Sequence, residues 1–201
     1  MTPEIFALCV LGAVLELDTT YAFQLTFSRG IIAAPLMALL TGDIMTGIQI
    51  GVFVELLFSD INPLGGIIPP SAAVCCAAAL GIYAFGVEIY FAFFAAILCA
   101  LGYSFVEHFM RKTRFKWLVF WEQKIELDPS VVARPVMLAL ASSFLVTFVY
   151  LVLCVSSFGY FLHWLEPRIP QQAHAACKFA YVAVPWIGFA TLISSFRLKT
   201  R

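Results

Sequence analysis

Charge is scarce in this sequence. Only 12% of its 201 residues are Asp, Glu, Lys or Arg, while 62% are hydrophobic, and the mean hydropathy is +0.95. A soluble domain carries roughly 25% charged residues, so the composition places the chain in a bilayer. The twelve basic and twelve acidic residues cancel, which leaves no basic surplus to suggest nucleic acid. Cysteine motifs are missing too. The six cysteines (Cys9, Cys75, Cys76, Cys99, Cys154, Cys177) form no C-x-x-C and have no histidine at metal spacing. They read as small buried apolar residues, and neither a metal nor another cofactor is expected. The first ten residues, MTPEIFALCV, hold Glu4 but no Lys or Arg. The basic start of a signal peptide is therefore lacking, and the first segment is expected to be retained.

What is present is a series of apolar segments of unequal length. A spanning helix needs about 20 apolar residues. Val136–Phe161, Ala173–Phe196 and Ile67–Val87 reach that length, and Ile89–Phe105 nearly does. Ile5–Leu17, Gly30–Thr41 and Ile44–Phe58 fall short. Twenty phenylalanines suit a lipid-facing surface. The expected fold is all-α and polytopic, with short, broken or re-entrant helices in the N-terminal half. Short segments interrupted by Gly and Pro mark the discontinuous helices that build transporter sites; a kinked spanning helix is the other reading.

Residues 107–128 read EHFMRKTRFKWLVFWEQKIELD. Arg111, Lys112, Arg114, Lys116 and Lys124 mix here with Trp117 and Trp121, the pattern of an amphipathic interfacial segment. Such basic segments face the cytoplasm. The tail with Arg197, Lys199 and Arg201 is basic as well, and two full-length segments separate it from residues 107–128. A cytoplasmic C-terminus follows. With no strong repeat and no low-complexity linker, residues 1–201 are expected to form one membrane domain. It divides into a site-forming half (1–106), the interfacial segment (107–128) and a helical half (129–201).

The polar residues gather in the first seventy positions. Gly47, Gly51, Glu55 and Ser59 recur at i+4, so they form one column on a helix. The G-x-x-x-G pair lets another backbone approach closely. Glu55 then faces protein, and an intramembrane carboxylate is a candidate functional residue or a structural partner of Arg29. Asp43 follows Gly42 and precedes the same helix, where it serves as N-cap or as ligand. Asp60-Ile-Asn62-Pro63-Leu-Gly65-Gly66 is turn chemistry. In lipid such backbone survives only inside protein or beside a water-filled cavity, and Asn62 can both donate and accept. An external loop is the alternative. Ser71 follows Pro69-Pro70 and suits a helix N-cap. Upstream, Asp18, Gln24, Ser28 and Arg29 form a polar link that is either site or interfacial loop. His108, His163 and His174 lie in no recognisable catalytic pattern and read as structural. Two carboxylates could serve acid/base chemistry, but no nucleophile–base pair accompanies them.

The stretch LDTTYAFQLTFSRGIIAAPLMALLTGDIMTGIQIGVFVELLFSDINPLGGIIPPSA resembles the signature half of the IIC membrane subunits of mannose/fructose/sorbose-type sugar phosphotransferase systems. The matching positions are Asp18, Gln24, Arg29, Gly42-Asp43, Gly47 with Gly51, Glu55, Asn62, Gly65-Gly66 and Pro69-Pro70. The resemblance implies a sugar-translocating subunit of the bacterial cytoplasmic (inner) membrane that carries no phosphate itself. It implies a IID membrane partner, cytoplasmic IIA and IIB proteins that phosphorylate the sugar, elevator-like movement and trimers of IIC–IID pairs. Gln24, Glu55, Asn62, Asp18 and Asp43 are the expected substrate-binding residues. Two positions depart from the pattern: Ser71 replaces the family's Asp after Pro-Pro, and the chain ends at Arg201, before the family's usual apolar continuation. A degenerate, non-transporting protein that docks or regulates partners is the competing expectation.

Overall fold

A computed structural model of the chain describes residues 2–20, 25–59, 68–127 and 132–198. The described residues form seven α-helices: α1 (Pro3–Thr20), α2 (Gly30–Thr41), α3 (Ile44–Phe58), α4 (Ala72–Tyr83), α5 (Ile89–Leu127), α6 (Ala133–Leu165) and α7 (Gln171–Leu198). A 3-10 turn, Glu166–Arg168, joins the last two. No strand occurs among the described residues.

Helices α2 and α3 form an antiparallel hairpin. Gly42, at φ 75°, ends α2 in the left-handed conformation that glycine adopts without strain. Asp43 at once caps α3, accepting the Thr46 N–H at 3.2 Å and the Thr46 hydroxyl at 2.6 Å. The two helices touch through glycine. A Cβ on Gly51 would sit 2.5 Å from the Gly30 carbonyl oxygen, and one on Gly47 would strike Ala38 and Ala34. In lipid, helix association rests on such close backbone approach because no hydrophobic drive separates one apolar surface from another. At 12 and 15 residues the helices are about 18 and 22 Å long, against a hydrocarbon core of about 30 Å. Each helix of the hairpin is therefore too short to span that core.

Helix α4 is the axis of the bundle. Residues 73–82 are all buried, and most are Ala, Cys or Gly. Helices α1, α2, α3, α5 and α6 pack around it. The full-length span expected over Ile67–Val87 is corrected here. Ser71 accepts the Val74 N–H at 3.2 Å and starts the helix only at Ala72. Gly86, at φ 82°, lies in the turn that follows Tyr83. Hydropathy counts apolar residues and does not register these caps.

Helices α5, α6 and α7 are long and apolar enough to cross a membrane. The basic, aromatic segment expected at the interface is the continuation of α5. The 39 residues of α5 extend about 58 Å, nearly twice the hydrocarbon thickness, so its second half lies beyond the core. No Pro interrupts it and its last Gly is Gly102. At the end of α4 remote from Ser71, the connections are tied by polar contacts. The Glu88 N–H donates to Glu166 at 3.3 Å, and Tyr90 Oη lies 2.9 Å from His174 Nδ1. The cysteines are free, and Cys9, Cys75, Cys76 and Cys99 are buried.

Candidate functional site

The polar ends of α1, α2, α3 and α4 converge with the middle of α5 on one cavity of about 360 Å³. Its wall includes Glu16, Ser28, Arg29, Glu55, Ser59, Ser71, Tyr103, Glu107 and Arg111. That volume lies within the range of small-molecule sites.

Each charged side chain arrives by a traceable route. Asp18 is buried near the end of α1, and its two carboxylate oxygens accept the backbone N–H of Leu25 at 2.8 Å and of Ser28 at 3.3 Å. Thr26 holds a positive φ of 65° in that turn, and the Arg29 N–H returns to the Thr26 carbonyl at 3.1 Å. The turn delivers Arg29 to the start of α2. The glycine contact sets Gly30 against Gly51, and one turn further along α3 comes Glu55. Arg29 Nη1 donates to Glu55 Oε1 at 2.7 Å. Arg29 is largely exposed and Glu55 partly so, and a pair this wet adds little stability. Its effect is orientation: one oxygen of Glu55 is fixed, and Oε2 accepts from no described residue.

Among the sequence candidates, the structure brings Glu55 to the cavity, with Gly47 and Gly51 behind it in the hairpin seam. Asp18 and Asp43 are not on the wall. Asp18 holds the turn before Arg29. Asp43 sits at the hairpin tip with Thr46, and the Tyr83 hydroxyl donates to it at 3.4 Å. Gln24 and Asn62 lie outside the described residues.

Three wall residues did not stand out in the sequence as site residues. Glu16 is buried, and the Ser71 hydroxyl donates to its Oε2. Glu107 is buried and takes the Arg111 Nε at 2.9 Å. Tyr103 meets Thr147 at 2.7 Å. The available signal for Glu16 was a carboxylate at the end of an apolar run with no basic neighbour. Among the described residues no group of three His, Cys, Asp or Glu could hold a metal ion. The arrangement can hydrogen-bond a polyhydroxylated molecule: carboxylate oxygens and hydroxyls stand on several sides, two guanidinium groups supply donors, and Phe58, Ile68 and the prolines supply apolar surface.

Short apolar helices around a polar cavity, backed by long apolar helices, define a multi-pass membrane protein of the transporter class. The chain belongs to the family described as the sorbose-specific IIC component of the PTS system, which matches residues 4–200. It is accordingly a sugar-specific membrane component of a phosphotransferase system, of the mannose/fructose/sorbose type expected from the residues above. A solved structure titled "Structure of membrane protein" is similar to it with a TM-score of 0.80. The identity is 19%, and the match covers 98% of this chain and 80% of that one, so the likeness shows the fold alone. None of the curated proteins matches this sequence.

Proposed function

We propose that this chain is the subunit that binds a hexose-like sugar and carries it across the bacterial cytoplasmic membrane for phosphorylation by partner proteins. One observation carries the reading: a cavity of about 360 Å³ lies where the short hairpin meets α1, α4 and α5, and Glu55 stands on its wall. A carboxylate accepts sugar hydroxyls in charge-assisted bonds roughly twice as strong as neutral ones. A site built to pair hydroxyls also rejects molecules lacking them, because its own polar groups are then left unsatisfied.

The position of the cavity along the bundle supports the same reading. Arg111, from the basic half of α5, lines the cavity, so the cavity sits at the end of the bundle from which the basic helix projects. That end is cytoplasmic by the positive-inside rule, the side on which cytoplasmic IIA and IIB subunits meet an arriving sugar. Gln24 and Asn62 are proposed as further sugar contacts, and Asp18 as the residue that sets Arg29. The chain acts as one membrane domain, with a IID subunit as its membrane partner and trimers of such pairs as the assembly.

Glu55→Gln tests the proposal. In the purified complex with IID it should weaken hexose binding by about 10- to 100-fold, the loss of one hydrogen bond to a charged group, while insertion and assembly are retained. Uptake of radiolabelled hexose by cells supplying IID and IIAB should fall in parallel. Binding unchanged by the substitution removes Glu55 from the site. Absence of any hexose binding or uptake by the unaltered complex favours a docking or regulatory protein.

A further inference from the structure

The carboxyl groups on the cavity wall are not equivalent. Arg29 holds Glu55, and Arg111 holds Glu107. Glu16 has no ion-pair partner among the described residues, although only 6% of it is exposed. Its donors are hydroxyls, and both reach the same oxygen. Ser71 donates to Oε2, and Thr19 reaches Oε2 more weakly at 3.5 Å. Oε1 accepts from no described residue. The residue as a whole is buried, yet Oε1 is not sealed away: it keeps access to solvent. Glu16 lies on the wall of a cavity large enough for a ligand.

Ser71 has two bonds to make. It accepts the Val74 N–H at the first turn of α4 and donates to Glu16. The N-terminus of α4 thus polarises the hydroxyl, and the hydroxyl anchors the carboxyl. One oxygen is tied back to the scaffold and the other is left for a donor from the cavity. Glu55 shows the same division, with Arg29 on Oε1. The two groups come from different elements, Glu55 from the hairpin and Glu16 from α1.

Resting on the sugar-binding reading, we propose that Glu16 is a second substrate-binding residue, held by Ser71 so that Oε1 takes one sugar hydroxyl. Ser71 is its positioning residue. The substrate class this selects is a hexose that keeps a free hydroxyl at the position facing α1 when another hydroxyl faces Glu55. A sugar deoxygenated or alkylated there is discriminated against.

The test is a cycle between residue and ligand on the intact membrane complex, with affinities measured by calorimetry. Glucose, mannose, fructose and galactose are screened first, then each monodeoxy analogue of the sugar that binds. In the unaltered protein, removal of the hydroxyl that meets Glu16 should cost about 10-fold or more. In Glu16→Ala that penalty should vanish, while the penalties at the other hydroxyls persist. Ser71→Ala should shrink the same single penalty. Glu16→Gln, which keeps the shape and covers a failure of the alanine variant to fold, should shrink it too. Deoxy penalties that all survive in these variants overturn the proposal, even if overall affinity falls, because a merely structural role lowers affinity for every analogue alike. Absence of binding by all four hexoses to the unaltered complex overturns the sugar-binding reading itself, a separate outcome.

Discussion

The hairpin of α2 and α3 and the pair of α6 and α7 are both apolar, yet they are built on opposite plans. The hairpin is short and closes on itself through Gly30, Gly47 and Gly51, with charged residues at its open end. Helices α6 and α7 are long and present large side chains outward: Leu153 is 62% exposed and Trp186 is 75% exposed. The difference follows from the solvent. Lipid accepts a large apolar side chain at no cost, so α6 and α7 need few internal partners over much of their length. Irregular backbone and carboxylates are costly in lipid, so the segments that carry them must be held against protein. Small residues allow that close hold.

The largest expected effect comes from filling the hairpin seam. In Gly51→Leu the added side chain has no room, because even a Cβ lies 2.5 Å from the Gly30 carbonyl oxygen. Backbone cannot yield as a flexible side chain does, so we expect a loss of at least about 1–3 kcal/mol. Separating α2 from α3 also separates Arg29 from Glu55, and sugar binding should be lost. Leu153→Ala, on the outward face of α6, should stay within about 0.5 kcal/mol. Thermal unfolding of both variants in detergent checks the contrast. Equal sensitivity of the two would mean that the hairpin is not held by its glycines.

Parts of this architecture were legible in the sequence, and the reasons are local. The bounds of α2 and α3 coincide with the expected segments because Gly42 and Asp43 are adjacent stop and start signals. Ser71 was legible as a cap for the same reason. The length of α4 was not, since an apolar count over Ile67–Val87 passes through Pro69-Pro70 and Gly86. The continuation of α5 was hidden by the change from apolar to basic composition, which alters the solvent around a helix without ending it. In the site, Glu55 was visible through its i+4 column, and Arg29 was already named as its possible partner. Glu16 was not visible, because the group that gives it meaning, Ser71, lies 55 positions away. Only the packing of α1 against α4 brings them together.

A smaller effect is expected from Asp18→Asn. The aspartate accepts two backbone N–H groups, one on each oxygen. The amide offers one oxygen and turns its own N–H₂ toward the second donor. One bond is lost and one donor is opposed, a cost of about 1–3 kcal/mol. The turn at 25–28 should loosen and Arg29 with it. Hydrogen exchange should rise at Leu25 and Ser28 but not along α6, and sugar affinity should fall less than in Glu55→Gln. A fall as large as that of Glu55→Gln, with unchanged exchange, would make Asp18 a direct sugar contact.

The smallest effect separates the two roles considered for Asp43. At the hairpin tip it caps α3 through Thr46 and takes the Tyr83 hydroxyl, away from the cavity wall. As a cap, its replacement by alanine should cost about 1 kcal/mol, and Asp43→Asn should keep most of that, because asparagine caps about as well as aspartate. Sugar affinity should be nearly unchanged in both, since α2 and α3 are still joined by their glycine seam and Glu55 lies three turns away. As a sugar ligand, Asp43 would give the reverse pattern: little change in unfolding, and a clear loss of affinity in Asp43→Asn as well as in Asp43→Ala. Paired unfolding and calorimetry on the two variants decide between them. They also show whether the short hairpin is polar at its tip for the sake of the helix or of the substrate.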